Sequence, residues 1–569
     1  MCKILRYLFF LPCFLIGTAL TLPAQERIEA FPSLEWYKVF AGNNRFEVTK
    51  DMEQAPDGSI YYAGSYTSLL YIGIAYHIDS LFEDTVVSDP IDSHGYVVKL
   101  DSNGAFEWAW IITGQYESQS VVTDIVLDAK GEAWVTGWYS GDVSIPYGGN
   151  LTAPGTNGFV LHLNEYGEGS KFMRLSGNGI VPQKLLIDPQ GNLQLILRGQ
   201  SFPIYIGNDT LAIDTTANPF LTIIKLDTVG NVINFRYVET INSSQAGYCE
   251  STMDQNGNIY LVLWVVGNPI STPGRIVCGS DTLTLYDRNL VKIDPNLQIK
   301  WTRELRHISN INNIKIDASI AGEIYLAADA SDSVKAFINR FDSSGQLLWE
   351  LPSTGYRVTT GGIALSKDFL YWSGYYQCDM SIDTIHFLIG DQQPWPSAAR
   401  TGYLCVVNRH TGKVAWVMSD ATTNQDKRFG AIVAAEDEYI TVETRVITTL
   451  CTIDTLSLQV TSADVPYNML LRFDGKQFPV WPVVPDPIPS FSLWPNPTQG
   501  AFTVQVDQSW GPQTRLEVYN LAGQKLWAQS IQAQEVFLEM ENLSGQLLLI
   551  RIVDDGSGRR MTKKLVVLH

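Results

Sequence analysis

Val98-Lys99-Leu100-Asp101-Ser102-Asn103-Gly104, followed by a strand carrying Trp108, is the stretch from which the fold can be read. An apolar strand runs into Asp, a Gly-containing turn reverses the chain, and a second strand leads away. Asp or Asn can hydrogen-bond its own backbone two residues on, and Gly supplies the positive φ of a tight reversal. The flanking alternation makes a β-hairpin. Related anchors follow at Leu163-Asn164-Glu165-Tyr166-Gly167, Lys225-Leu226-Asp227-Thr228-Val229-Gly230 and Lys292-Ile293-Asp294-Pro295-Asn296. The last three are Arg340-Phe341-Asp342-Ser343-Ser344-Gly345, Asn408-Arg409-His410-Thr411-Gly412 and Arg472-Phe473-Asp474-Gly475. From Asp101 to Asp474 the seven anchors are spaced by 63, 63, 67, 48, 66 and 66 residues.

A second turn repeats in phase, at Pro56 to Gly64, Asp128 to Gly137, Asp254 to Tyr260 and Ala321 to Leu326. Weaker copies lie at Asp188 to Leu197, Ser366 to Gly374 and Glu436 to Val442. Each unit therefore reads as about four short antiparallel strands. Such a sheet cannot bury both faces alone, and stacking sheets as blades around an axis lets each cover its neighbours. The expected fold is all-β, a seven-bladed β-propeller over residues 25–478; an open solenoid of the same units is the alternative. Trp108, Trp301, Trp349 and Trp416 are expected between blades, each burying roughly 150–250 Å². Leu34 to Phe40 looks like the strand after an anchor but has no anchor before it. It is expected to complete the last blade beside Tyr467 to Phe473 and so to remove an exposed edge.

Most units exceed the roughly 40–45 residues of a blade by about 15–20. The excess often carries Asp-Thr and an apolar residue: Asp84-Thr85-Val86, Asp209-Thr210-Leu211, Asp281-Thr282-Leu283, Asp383-Thr384-Ile385 and Asp454-Thr455-Leu456. These inserts are expected to be extra hairpins or, as loops on a rigid scaffold, a binding surface. The units resemble bacterial β-propeller repeats of secreted proteins over about residues 34–480. That consensus is loose and speaks to fold far more than to function.

Composition agrees. Hydrophobic residues make up 45% and charged residues 17% of the 569, which fits folded domains rather than disorder. Lys3 and Arg6 precede a mostly apolar Tyr7 to Leu22, and Leu22-Pro23-Ala24 offers a cleavage site, so residues 1–24 are expected to be a signal peptide. Of 40 basic residues, cleavage removes Lys3 and Arg6; 38 then face 59 acids, a charge near −21 with His neutral. Such a surface repels nucleic acid and anionic membranes. Five cysteines remain, Cys249, Cys278, Cys378, Cys405 and Cys451. Export permits Cys249–Cys278 and Cys378–Cys405 disulfides, or five buried thiols.

Pro479, Pro482, Pro485, Pro487 and Pro489 mark a semi-rigid linker over 479–490. Beyond it stand Trp494-Pro495-Asn496-Pro497-Thr498-Gln499-Gly500, then Val518-Tyr519-Asn520-Leu521-Ala522-Gly523, and near the end Lys563-Lys564-Leu565. Six or seven short strands in this stretch predict a small Ig-like β-sandwich. The order of motifs over 491–569 resembles the C-terminal (type A) sorting domain of type IX secretion cargo. It departs from that family after Gly545, where Gln546-Leu547-Leu548 stands in place of an aromatic. The resemblance implies recognition by the type IX machinery through Pro495, Asn496, Pro497, Gly500, Tyr519, Asn520, Gly523, Lys563 and Lys564. It also implies export to the cell surface or beyond, removal of the domain and linkage to surface lipopolysaccharide.

Chemistry is harder to find. There is no GxSxG, HExxH, Walker loop or dinucleotide fingerprint. His77, His94, His162, His307, His386, His410 and His569 are scattered at no ligand spacing. The Asp342, Gly345, Trp349 spacing does not fit a sialidase Asp-box. Asn408 to Trp416 resembles one quinoprotein repeat that the other units do not follow. Asp101-Ser102-Asn103-Gly104 suggests calcium, but a calcium loop needs more oxygens at alternate positions, so Asp101 reads as a turn residue. No catalytic, cofactor or metal-binding residue is nominated. The expected role is surface adhesion, display, or capture of a glycan or protein. The alternative is a polysaccharide hydrolase or lyase, which acids clustered at one mouth of the ring would favour.

Overall fold

The computed structural model describes residues 34–567 outside a set of connecting segments. The longer of these are 43–47, 80–92, 213–218, 268–273, 306–312, 331–334, 389–399, 420–426, 460–466, 475–490, 507–513, 540–546 and 555–559. The expected signal peptide and linker lie outside the described residues. The described chain is all-β, built of many small antiparallel sheets. It divides into two compact units: one holds the repeats, the other Val480–His569 with Asn408–Ala415.

In the larger unit the chain runs through four-stranded meanders in sequence order. Unit one is Val48–Gln54, Ile60–Thr67, Ser93–Leu100 and Phe106–Ile111. Unit two is Gln119–Leu127, Ala133–Ile145, Gly149–Leu163 and Gly169–Ser176, and unit three Val181–Ile187, Leu193–Arg198, Pro219–Leu226 and Val232–Ile241. Unit four is Ser243–Met253, Ile259–Gly267, Asp287–Ile293 and Ile299–Glu304. Unit five opens with Lys315–Ala318, Ile324–Asp329 and Ala336–Phe341, and the 19-residue strand Leu347–Leu365 closes it and opens unit six. Phe369–Ile382, Thr401–Asn408 and Val414–Ser419 complete unit six. Unit seven is Lys427–Ala435, Tyr439–Val446 and Tyr467–Asp474, and its fourth strand is Leu34–Gly42, from the other end of the chain. The register runs from Leu34 opposite Phe473 to Ala41 opposite Tyr467, the seam read from the sequence.

The anchors form as their residues require. Asp227 Oδ1 accepts the amides of Val229 and Asn231 at 3.0 and 2.8 Å, and Asp342 does the same with Ser344 and Gln346. The anchor glycine also makes room for its neighbour. A Cβ on Gly167 would lie 2.6 Å from the Trp108 ring, and one on Gly104 2.7 Å from Trp36. Each of these Trp side chains donates Nε1–H to the next unit's anchor: Trp36 to Ser102 O, Trp108 to Glu165 O and Trp301 to Ser343 O, at 2.9–3.1 Å. Trp108 and Trp301 thus join consecutive units. Trp349 meets Tyr325 of its own sheet, and Trp416 is buried.

The inserts are stitching. Ile204–Ile206 with Asp209–Leu211 forms a hairpin of unit three that pairs with the outer strand of unit two. Gly274–Cys278 with Asp281–Leu285, from unit four, does the same to unit three, and Leu70–Ile74 with His77–Asp79, from unit one, to the Leu34–Gly42 strand. Segments 84–86 and 454–455 lie outside the described residues. Cys405 is a free thiol, which decides against the Cys378–Cys405 disulfide and for the thiol alternative at that position. Cys405 sits in a fully buried strand, and burial pushes its thiol pKa up.

The smaller unit sets Phe491–Trp494, Ala501–Val506 and Glu535–Glu539 in one sheet. Lys525–Ser530, Thr514–Asn520, Leu547–Asp554 and Arg560–Val566 form another. Both feed one core that includes Phe502, Val504, Leu516, Val518, Ile550 and Leu565.

Candidate functional site: a charged cavity walled by seven strands

The first strand of every repeat unit contributes to the wall of one cavity of about 370 Å³. Most of these strands carry a bulge at the same level, after Thr49, at Thr123, after Pro182, Tyr248 and Thr360, and after Phe429. A bulge inserts one unpaired residue and re-aims the next side chain. The residue that follows stands opposite the fourth residue of the second strand in units one to four and seven, and opposite the fifth in unit six. Asp51 faces Ala63, Asp124 Thr136, Lys184 Ile196, Glu250 Val262 and Gly362 Ser373; Lys315, without a bulge, faces Ala327. Units one to five thus present Asp, Asp, Lys, Glu and Lys at one level. Unit six presents Gly362, and unit seven lines the wall with Ala431. Two residues further along, Glu53 and Asp317 add carboxyls among Val126, Leu186, Ala364 and Val433.

The charges are knitted together across units. Lys184 Nζ lies 2.7 Å from Asp124 Oδ1 and 3.4 Å from Asp51 Oδ2. Asp124 Oδ2 accepts the Leu185 amide at 2.7 Å, and Asp51 Oδ2 the Ile125 amide at 3.4 Å. Each acid thereby ties the next unit's wall strand to its own. Glu250 accepts the Ser251 amide at 3.1 Å and faces Lys315 at 3.7 Å. Burial opposes the charge on Lys184, but Asp124 and Asp51 outweigh it and hold its pKa well above the usual value. Burial likewise opposes ionisation of Asp51, yet Lys184 and the hydrogen bonds from Asp124 and Ile125 keep its carboxyl low. For Asp124, burial wins and the pKa goes up, with Asp51 adding to it against Lys184. Glu53 is pushed up to about 8 by burial, then by the charge of Asp51, so it holds a proton at neutral pH. In unit seven, Glu443 reaches the wall from the second strand; it accepts from Thr49 Oγ1 and from the Ala431 amide.

A second cluster lies elsewhere in unit two. His162 Nε2 is 3.8 Å from Asp128 Oδ2 and 3.6 Å from Glu132 Oε2. This histidine stands at no ligand spacing in the sequence; the signal was its place in the repeat, two residues before the anchor Asn164.

Of the sorting residues, Tyr519 and Asn520 end a strand of the smaller unit. Tyr519 donates to Glu517 Oε2 at 2.6 Å under the Arg551 guanidinium, and Asn520 Oδ1 accepts the Gln524 amide at 2.9 Å. Lys563 and Lys564 pair with Ile550 and Leu549 on the last strand. Pro495, Asn496, Pro497, Gly500 and Gly523 lie outside the described residues.

A repeated all-β body followed by a compact β tail is the class of molecule that fold and motifs define. The tail has a family: residues 492–568 match the secretion system C-terminal sorting domain. It is a type IX sorting tail, and it marks the chain for export to the cell surface or the extracellular space. No curated protein matches the chain. Among solved structures, one similar chain is PorZ, a surface component of the type IX secretion system of Porphyromonas gingivalis, at 10% identity, TM-score 0.15, over 93% of this chain and 100% of that one. NanB sialidase from Streptococcus pneumoniae is similar at 10% identity, TM-score 0.33, over 79% and 70%. A putative dipeptidyl aminopeptidase IV from Bacteroides ovatus follows at 8%, TM-score 0.34, over 85% and 68%. Superpositions this loose align no side chains, and no function passes from these proteins to this chain.

Proposed function

We propose that the protein is an exported seven-bladed β-propeller that serves as a non-catalytic binding and display module, delivered by an Ig-like sorting domain over 491–569. One observation carries the reading: seven successive units each give one strand to a single cavity, while the last unit is completed by Leu34–Gly42. The cavity suits a polar ligand, a glycan or a protein segment. Its charged arc offers donors and acceptors, and the small side chains of units six and seven leave room; its volume lies at the lower end of the roughly 300–1,000 Å³ common for ligand sites. Asp51, Asp124 and Glu250 already bond to amides and lysines, which argues for an architectural rather than a reactive role. Pro495, Asn496, Pro497, Gly500, Tyr519, Asn520, Gly523, Lys563 and Lys564 are the residues we assign to recognition by the secretion machinery, with attachment to surface lipopolysaccharide as the destination.

A second reading, a polysaccharide-active enzyme, has one specific observation in its favour. Asp51 is held ionised and Glu53, two residues along the same strand, is held protonated. Neighbouring carboxyls driven apart in this way are the acid and base of many glycosidases. A thermal-shift screen of the mature chain against polysaccharides, with product analysis, separates the two readings. A ligand at 100 times its Kd stabilises by about 2.7 kcal/mol. A shift without product supports capture; product that disappears in Glu53→Gln makes the protein a hydrolase or lyase. Deleting 492–568 is expected to stop export, read by fractionating cells for the protein.

A further inference from the structure

In five of the seven units the residue two before the anchor is a long cation: Lys99, Lys225, Lys292, Arg340 and Arg472. In units three and five this cation meets one acid of the neighbouring turn. Lys225 Nζ lies 2.9 Å from Asp188 Oδ2, and Asn192, four residues after that Asp, donates Nδ2–H to the same oxygen at 3.0 Å. Arg340 pairs with Glu323, and the turn position holds the neutral Ser319. One positive charge answers one negative charge.

Unit two breaks the pattern on both sides. Asp128 and Glu132 fill both turn positions with acids, and the cation's place is taken by His162. Asp128 Oδ1 is used by the amides of Lys130 and Glu132, at 2.8 and 3.0 Å, which leaves Oδ2 toward the imidazole. Glu132 brings acceptor oxygens where Asn192 brings a donor. His162 Nδ1 bonds Ser170 Oγ, and Trp134 lies against the ring at 4.4 Å between centroids. These two contacts fix the ring; in the tautomer that gives Nδ1–H to Ser170, the lone pair of Nε2 points at the carboxylates. Nε2 is buried and makes no hydrogen bond. Lys130 is a largely exposed side chain 3.8 Å from Glu132, and Lys171 stands opposite His162 in the strand register. Three electron-pair donors therefore face one another with two negative charges between them. The Nε2–oxygen separations of 3.8 and 3.6 Å are within a few tenths of the ~3.3 Å edge of a tetrahedron with bonds of about 2.0–2.1 Å.

We propose that Asp128, Glu132 and His162 bind a divalent transition-metal ion of the zinc or manganese class, which supplies in unit two the positive charge that Lys or Arg supplies in five other units. One nitrogen and two carboxylate oxygens suit either ion and leave a position for water. The ion acts as a rivet between the turn that joins the first two strands of the unit and its third strand.

The test uses the mature full chain, stripped with chelator and dialysed against zinc or manganese chloride. Metal per chain and Tm are then measured. Wild type is expected to hold one equivalent more than His162→Ala or Glu132→Asn, and its Tm to rise with metal where theirs does not. His162→Lys restores the pattern of the other units; it should lose the equivalent while its metal-free Tm stands at or above that of wild type. Glu132→Asn copies the Asp188–Asn192 pair and keeps the test valid if His162→Ala does not fold. Equal metal content in wild type and variants, or a metal-dependent Tm rise that survives in His162→Lys, overturns the proposal.

Discussion

The inner and outer strands of the repeat units behave differently under repetition. At the outer position, two residues before each anchor, the chain repeats itself: Tyr61, Lys99 and Trp108 meet across three strands of unit one, and Tyr260, Lys292 and Trp301 across three strands of unit four. At the inner position the same chain changes residue from unit to unit, from Asp51 to Gly362. A fold that needs the same contact again and again keeps the residue that makes it, as five of the seven units do with a Lys or Arg. A wall with a task needs unlike residues, and it can have them because the strands are held from outside. Repetition marks what builds the molecule, and departures from it mark where to look for what the molecule does.

The largest expected effect falls on the inner wall. Lys184→Met leaves Asp51 and Asp124 without their counter-charge and should cost about 3–5 kcal/mol in denaturant unfolding at pH 7. If Lys184→Met with Asp124→Leu recovers none of that loss, the charges are not what holds the wall. On the outer side, Gly167→Ala forces a Cβ into Trp108 at a φ of +78° and should cost about 2–3 kcal/mol, whereas Gly149→Ala, with equally positive φ but nothing within 4 Å, should cost only the backbone strain of about 1–2 kcal/mol. Equal losses at both positions would remove the Trp latch from the account.

A smaller effect separates the two sides by pH. Glu53 has a raised pKa, so its contribution to stability is complete below the unfolded value near 4.5 and is lost as pH climbs through about 8. The turn acids Asp188, Asp294 and Asp342 have lowered pKa values. Burial opposes their ionisation, but hydrogen bonds from side chains and amides outweigh it. Their contribution is present above the unfolded value near 3.8 and is lost as pH falls below it. Between pH 5 and 8, Glu53→Gln should therefore flatten a Tm that falls in wild type; an unchanged slope would show that Glu53 titrates normally. The smallest effect belongs to Lys130→Ala, a surface substitution worth less than about 1 kcal/mol.

Much of the outer pattern was legible in the sequence, because a turn is a local event. Asp227, Gly230 and their neighbours spell it within six residues, and Leu34 to Phe40 betrays the seam by lacking an anchor. The tail was legible for the same reason, with its motifs in order. The inner wall was not. Asp51, Asp124, Lys184, Glu250 and Lys315 stand some sixty residues apart and share no motif, and only the bulges decide which side chains turn inward. His162 looked solitary until strand register placed it in the seat of Lys99 and Lys225. The inserts read from sequence as extra hairpins or binding loops; Asp209 and Asp281 do sit in extra hairpins, but sequence does not show which neighbour those strands will join.

The seam between Leu34–Gly42 and Tyr467–Asp474 also orders events in time. The strand that must wait longest for its partner is the earliest of the repeat region to be made, and its partner is the last to appear before the tail. A chain whose synthesis stops early has an unmatched first strand and no export address. One that has acquired the address has already acquired both strands of the seam. Because completeness and destination arrive together, only finished molecules carry the means to leave.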